Sequence, residues 1–297
     1  MSEIGTAPEF VDNNEAIEAW DGVLFDRFVE FRKALVAGLG AHSARALELY
    51  PPAPGERALD IGCGFGDTTR DIARLVGPDG EAVGVDAASR FIASSREEAV
   101  AEGVDNVRFE VADVEAGLPD EIGTGFDRVF SRMGTMFFAN PVPAMRNIRA
   151  TMRPGGLLTM VVWRQKAENV FMYEAEQITE RFLTHPDQSD EPTCGPGPFS
   201  MANADTTSGI MVAAGFENVS LTRSDSSMWN GDTMDEALDL VMAIGPAGEL
   251  IRVNEERGEE LRPQIVEALR EGLARYVTDD GVYAPTSTWI VAAHNPA

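Results

Sequence analysis

Apolar positions change rhythm along the chain, and each rhythm predicts a different kind of element. Across residues 12–50, Ile17, Trp20, Phe25, Phe28, Val29, Leu35 and Leu39 recur at helical spacing and predict N-terminal helices closed by Pro51, Pro52, Pro54 and Gly55. From Ala58 onward short β-rich runs appear at 58–61, 82–85, 107–111, 128–130 and 157–163, with helical stretches at 68–76, 88–102 and 142–152. This alternation predicts a doubly wound, mostly parallel sheet whose ligand lies at the C-terminal ends of the strands.

Beyond Trp163 the alternation breaks. An amphipathic stretch, Phe171 to Phe182, leads into a loop rich in Pro, Gly and Asp at 186–198, read as a lid on the substrate side. A helix at 207–214, a strand at 219–222, helices at 234–244 and 264–276 and a last strand at 288–293 complete an α/β fold with a seven-stranded sheet. The expected divisions are an N-terminal helical cap (1–54), a ligand-binding core (55–164), an insertion (165–206) and a C-terminal part that completes the sheet (207–297).

Charge narrows the partners. The 297 residues include 49 acidic and 24 basic ones, a formal charge of −25, and Lys33 and Lys166 are the only lysines. Such a surface repels nucleic acid and anionic lipid, leaving a small molecule as the expected partner. Cys63 and Cys194 are too far apart and too few for a disulfide framework or a zinc site, and no metal is expected. No stretch approaches the ~20 apolar residues of a membrane span, and residues 1–10 lack a signal-peptide pattern, so a cytoplasmic protein is expected.

The chemistry concentrates in Asp60-Ile61-Gly62-Cys63-Gly64-Phe65-Gly66-Asp67-Thr68-Thr69, a strand that enters a glycine turn and then a helix. Gly62 and Gly64 can adopt positive φ and bring backbone close to a ligand, and Asp67, Thr68 and Thr69 offer helix caps. The dinucleotide fingerprint is G-x-G-x-x-G; here Asp67 stands where its third glycine belongs, which disfavours a nicotinamide oxidoreductase. Asp86, 20 residues after Gly66, ends the next strand and suits a pair of ribose hydroxyls. Asp113 ends the third and suits an exocyclic adenine amine, with the Val114 amide beside a ring nitrogen. Phe126-Asp127-Arg128-Val129-Phe130-Ser131-Arg132-Met133 and Met152-Arg153-Pro154-Gly155-Gly156-Leu157 supply a fourth strand and its exit, then a helix stop before the fifth.

Together these motifs resemble the class I S-adenosylmethionine-dependent methyltransferases over about residues 55–164, and more loosely the ubiquinone/menaquinone C-methyltransferase group through residues 130–138 and 196–199. The resemblance implies a Rossmann-like fold and S-adenosylmethionine as cofactor. It implies that Gly62, Cys63 and Gly64 lie along the methionine and ribose, with Asp60 supporting the turn. Asp86 would hold the ribose, Ala87 would flank the adenine, Asp113 and Val114 would read its edge, and the Ser131 backbone would face the methionyl amine. A cationic sulfonium and ammonium suit a rim of carboxylates better than a pyrophosphate does.

Methyl transfer is an in-line displacement that needs alignment and dryness more than acid–base groups. His42, His185, His294 and Tyr173 are the candidate bases, and His185, in the insertion, is favoured. Trp20, Arg132, Met133, Trp163, Phe171 and Phe199, with Met172 and Met201, are the candidate substrate contacts, an aromatic and methionine-rich set suited to an apolar or aromatic molecule. The exit of strand four lacks an Asn/Asp-Pro-Pro-Tyr sequence, so carbon or oxygen methylation is expected over nitrogen methylation. A nicotinamide oxidoreductase, or a non-catalytic cofactor-binding relative, is the alternative.

Overall fold

A computed structural model describes residues 13–185 and 196–297. Cys194 and most of the loop at 186–198 lie outside the described residues. The strands are β1 (Arg57–Ile61), β2 (Glu81–Asp86), β3 (Val107–Val111), β4 (Phe126–Arg132), β5 (Met152–Trp163), β6 (Glu217–Gly231), β7 (Val277–Thr278) and β8 (Gly281–His294). They form one sheet in the order β3-β2-β1-β4-β5-β8-β6, with the two-residue β7 paired to β8 outside that path. The first five strands are parallel, and β8 runs antiparallel between β5 and β6.

Helices are α1 (Asn14–Ala19), α2 (Phe25–Glu30), α3 (Arg32–Leu49), α4 (Asp67–Val76), α5 (Ser89–Glu102), α6 (Pro141–Thr151), α7 (Val170–Thr179), α8 (Ala204–Ala213), α9 (Met234–Ile244), α10 (Pro246–Val253) and α11 (Glu255–Leu273). The pleat divides each central strand between two cores. Leu59, Ile61, Val83, Val85, Leu158 and Met160 pack with Met145 and Ile148 of α6 and Met211 of α8. On the other face Ala58, Ala82, Phe130, Val161 and Ile290 pack with Ala46 of α3 and Ile72, Ala73 and Val76 of α4. Burial on both faces explains the nearly continuous apolar runs of the parallel strands. No described helix is long and apolar enough to cross a membrane.

The C-terminal half departs from the expected boundaries. The strand expected at 219–222 is β6, fifteen residues long, because it pairs with β8 from Glu217 to Gly231 whatever its polar composition. The helix expected from Gln264 begins at Glu255 and runs through Pro263, held by Leu261 and Ile265 in a buried core. That third core joins α7 to α9, α10 and α11, so the helix of the expected insertion packs with the helices inserted between β6 and β8. The Arg153-Pro154-Gly155-Gly156 segment lies within β5, tied to the C-terminus by Gly155 N–H donating to Asn295 O (3.0 Å) and Asn295 N–H to Gly156 O (2.9 Å).

Candidate active site

Gly62, Gly64 and Gly66 all take left-handed backbone conformations, with φ of +64°, +53° and +73°. A Cβ on Gly66 would lie 2.6 Å from the Phe109 ring, and one on Gly84 of β2 would lie 2.5 Å from the same ring. Phe109 of β3 therefore wedges beneath the turn, which accounts for the third glycine standing at 66. Asp67 pairs with Arg32 and Arg70, each at 3.1 Å. The expected caps are not formed. Gly66 is itself the N-cap of α4, and Thr69 turns inward to donate its hydroxyl to Asp60 Oδ2 at 2.6 Å.

Three carboxylates stand at consecutive strand ends. Asp60, 3% exposed, is pushed up to about 7 by burial, against the Thr69 hydroxyl and the pull of Arg132. Asp86 keeps part of its surface open and accepts the amides of Gly64 (2.9 Å, on Oδ2) and Ala88 (3.0 Å, on Oδ1). Burial raises its pKa too, chiefly against those two amides. Asp113, also half-buried, accepts the amide of Glu115 at 2.9 Å; Ala87 is half-buried and Val114 buried beside them. The Cys63 thiol is buried, and burial lifts its pKa well above the ordinary value, so it is a filler of the turn and not a nucleophile.

The exit of β4 faces this turn. Ser131 is buried and donates its hydroxyl to Ile61 O at 2.8 Å. Arg132 donates to Ser43 Oγ at 3.3 Å. Met133 holds a φ of +60°, rare for a side chain of its size. Gly134 packs its backbone on Gly62, and the hydroxyl of Thr135 is buried with no partner.

The N-terminal segment crosses over these strand ends. Asn13 reaches Asp113 (3.2 Å) and Glu115 (3.3 Å), while Asp21 accepts from Ser89 and from the Arg90 amide at the start of α5. Trp20 meets Phe28 and Phe137 edge to face, with centroids 5.3 and 5.0 Å apart, and Phe25 meets Phe65 and Phe91. Glu115, which sequence reasoning missed, is buried and also accepts the amides of Ala139 and Asn140. An acid among Val114, Ala116 and Gly117 carries no local pattern that singles it out.

Other candidates divide between the two main regions. Phe199, partly buried, and Met201, buried, pack on the central core, and Ser200 between them donates to Met136 O beyond β4. Trp163 is buried with the ring of His42 at 5.8 Å, but His42 is fully enclosed and both its ring nitrogens meet threonine hydroxyls. Two candidates are corrected. Phe171, the candidate substrate contact, is buried in the helical core against Tyr276, whereas Met172, next to it on α7, is partly buried on the central core. His185, the favoured base, is exposed and pairs with Glu180 at 3.1 Å on that same bundle. Glu176, Glu180 and His185 do bring one ligand atom each within 4.8 Å of one another, but Lys166 already neutralises Glu176 at 2.6 Å. His294 is exposed and pairs with Leu157 at the opposite end of the sheet.

A family model described as "Methyltransferase domain" matches residues 52–208, which span β1 to β5 and the glycine turn. The chain belongs to that family. The ubiquinone/menaquinone biosynthesis C-methyltransferase UbiE of Stutzerimonas stutzeri (strain A1501) is 30% identical over 198 residues, covering 59% of this chain and 70% of the relative. Among solved structures, a putative methyltransferase from Bacillus halodurans matches with a TM-score of 0.54 at 18% identity, over 86% of this chain and 100% of that one. Haemonchus contortus phosphoethanolamine N-methyltransferase 2, in complex with S-adenosyl-L-methionine, matches at 0.54 and 17%, over 98% and 62%. These last two show the fold. The protein is a class I methyltransferase dependent on S-adenosylmethionine.

The residues present fit that cofactor. Gly64 has only the Phe91 ring, at 3.9 Å, near the place of a Cβ, so the turn leaves room for a ligand, and partly open carboxylates at the ends of β2 and β3 offer acceptors to hydroxyls and an amine. The bound cofactor supplies a methyl group on a sulfonium, a leaving group that needs no acid. What the chain must add is alignment and exclusion of water.

Proposed function

We propose that the protein transfers the methyl group to a carbon or oxygen of a small apolar or aromatic molecule in the cytoplasm. The observation that carries this reading is Trp20 set edge-on against Phe137, which joins the N-terminal segment to the exit of β4 and walls the space beside the glycine turn with aromatic surface. Met133, Phe199 and Trp163 pack on the same core as Phe137. The UbiE relative is a C-methyltransferase, which supports carbon over nitrogen as the acceptor. So does an exit reading Ser131-Arg132-Met133-Gly134, without the amide and carbonyls that grip a planar amine. The charge of −25 supports a small molecule over nucleic acid.

In this reading Gly62, Cys63 and Gly64 line the methionine and ribose, and Asp86 takes the ribose hydroxyls while its two amide bonds hold it in place. Asp113, Val114 and Ala87 surround the adenine, Asp60 and the Ser131 backbone face the methionyl amine, and no side chain is assigned as general base. Incubation with methyl-labelled S-adenosylmethionine and a panel of quinols, phenols and amines, followed by product NMR, tests it. Label on a ring carbon or hydroxyl oxygen is expected; label on amines alone overturns the acceptor assignment.

A further inference from the structure

The glycine turn is surrounded by acids, yet Arg132 at the exit of β4 has none in contact. Phe130 pairs with Asp60 in the β1–β4 register, so Arg132, two residues on, projects from the same face just past the end of β1. Its side chain is largely enclosed between the sheet, α3 and α4. Asp60, Asp67 and Asp71 attract it from beyond contact, and among the described residues no carboxylate lies within ion-pair distance and the side chain makes one hydrogen bond, the 3.3 Å contact with Ser43. Most other enclosed arginines are matched: Arg70, for instance, meets Asp67, Glu98 and Glu102. In a chain with 49 acidic and 24 basic residues, a half-buried guanidinium with no acidic partner in contact is suited to take an anion.

Two neighbours show that this exit is held in an unrelaxed form. Met133 keeps its left-handed φ of +60°, and the Thr135 hydroxyl is buried without a partner. A strained residue and an orphan donor on either side of Gly134 are what a ligand-binding segment carries when its last partner is a ligand. Burial also pushes the Arg132 guanidinium below its ordinary range, so enclosure is a cost that a bound anion would offset.

We propose that Arg132, steadied by Ser43, binds a carboxylate of the methyl acceptor, so that the acceptor is an organic acid with an apolar or aromatic body. The guanidinium fork matches the two oxygens of a carboxylate, and the pairing would set the acceptor's orientation beside the aromatic wall. The inference rests on the acceptor site proposed above. It concerns specificity, since Arg132 takes no part in breaking or making the bond to the methyl group.

The test is calorimetric titration of 4-hydroxybenzoate and of its neutral amide into protein saturated with S-adenosylhomocysteine. The acid is expected to bind at least about tenfold more tightly than the amide, and Arg132→Gln to lose about that factor for the acid while the amide is unaffected. Ser43→Ala should lose a smaller part, and both variants should bind S-adenosylhomocysteine within about twofold of wild type. Should Arg132→Gln not fold, Arg132→Lys, which keeps the charge and loses the fork, and the wild-type acid-to-amide ratio decide. Equal binding of acid and amide, or no binding of the acid, overturns the proposal. So does an Arg132→Gln variant that weakens S-adenosylhomocysteine as much as the acid, which would give Arg132 to the cofactor's own carboxylate. Failure of wild type to bind S-adenosylhomocysteine would overturn the acceptor site itself and the inference with it.

Discussion

Gly62 and Gly134 meet backbone to backbone: a Cβ on Gly62 would stand 3.0 Å from the Gly134 Cα, and one on Gly134 would stand 3.1 Å from the Gly62 Cα and from Ile61 O. The contact locks the glycine turn, proposed to hold the cofactor, to the exit of β4, proposed to face the acceptor. Alignment in a displacement reaction depends on that distance, and neither side can gain a side chain without moving the other.

Gly134→Ala isolates this contact, because Gly134 has φ −85° and ψ −46°, which alanine adopts freely. Its cost is the new methyl against Gly62, Ile61 O and the Ser131 hydroxyl at 3.2 Å. We expect a stability loss of about 1–3 kcal/mol and a weaker cofactor dissociation constant, read by denaturant titration and by calorimetry with S-adenosylhomocysteine. Unchanged cofactor affinity would show the contact to be incidental. Gly62→Ala should be worse, since φ +64° adds backbone strain to the same crowding.

Beneath the turn, Gly84→Ala and Phe109→Leu should be strongly non-additive. The alanine Cβ would lie 2.5 Å from Phe109 Cδ1 and 3.0 Å from Cys63 Sγ, a clash worth about 1–3 kcal/mol, whereas Phe109→Leu alone opens a void. The double variant relieves the first defect with the second. A double-mutant cycle by urea unfolding reads the coupling, and simple addition of the two losses would mean that the Phe109 ring does not support the turn.

What was legible and what was not follows from the range of the interactions. The strand-turn-helix around Gly62, and Asp86 and Asp113 at the following strand ends, are local patterns, and the family assignment agrees with the cofactor read from them. A threonine after a turn usually caps the helix, but the buried Asp60 nine residues back competes with the backbone for the Thr69 hydroxyl and takes it. Phe171 sits on an amphipathic helix, and its spacing says only that one face is covered, not that α9 to α11, more than 60 residues later, cover it. The polar run Ser224-Asp225-Ser226-Ser227 shows no alternation, yet it is strand because β8 supplies backbone partners. The anchoring of Asn13 on Asp113 and Glu115 spans about a hundred residues and leaves no trace in local pattern.

Asp60 makes stability depend on pH in the unusual direction for a carboxylate. Folding raises it from 3.8 to about 7, so its contribution is complete below about pH 4 and is lost as pH rises through about 7. Asp60→Asn removes that dependence while keeping an oxygen for Thr69. Relative to the variant, wild type should lose a few kcal/mol between pH 4 and 7, at most about 1.4 kcal/mol per unit, in guanidinium titrations across that range. Parallel curves would place the ionised carboxylate in the folded protein throughout. Cationic groups of the cofactor should pull the proton off, so binding near pH 6 should release it, seen as a buffer-dependent heat.

His42 acts in the opposite sense over almost the same window. Burial between α3 and β8 lowers it from 6.5 to about 4, so it folds neutral, and the stability this gives is present above about pH 6.5 and lost as pH falls through about 4. A neutral ring donates from one nitrogen and accepts at the other, yet Thr286 Oγ1, 2.9 Å from Nε2, and Thr288 Oγ1, 3.1 Å from Nδ1, also lie 3.2 and 3.3 Å from the carbonyls of Ser226 and Ser224. One threonine must turn from its strand carbonyl to the ring. His42→Phe keeps the edge-to-face packing on Trp163 and lets both hydroxyls return to β6, so its cost at pH 7.5 should be small, about 1 kcal/mol, against about 2–4 kcal/mol for His42→Ala. Below pH 6 wild type should lose stability relative to His42→Phe, and their denaturation midpoints should converge. A constant gap from pH 4.5 to 7.5 would mean that folding leaves the His42 pKa unshifted, and a wild type that instead loses stability as pH rises above 6.5 would mean that His42 is charged in the folded protein, donating to both threonines at once.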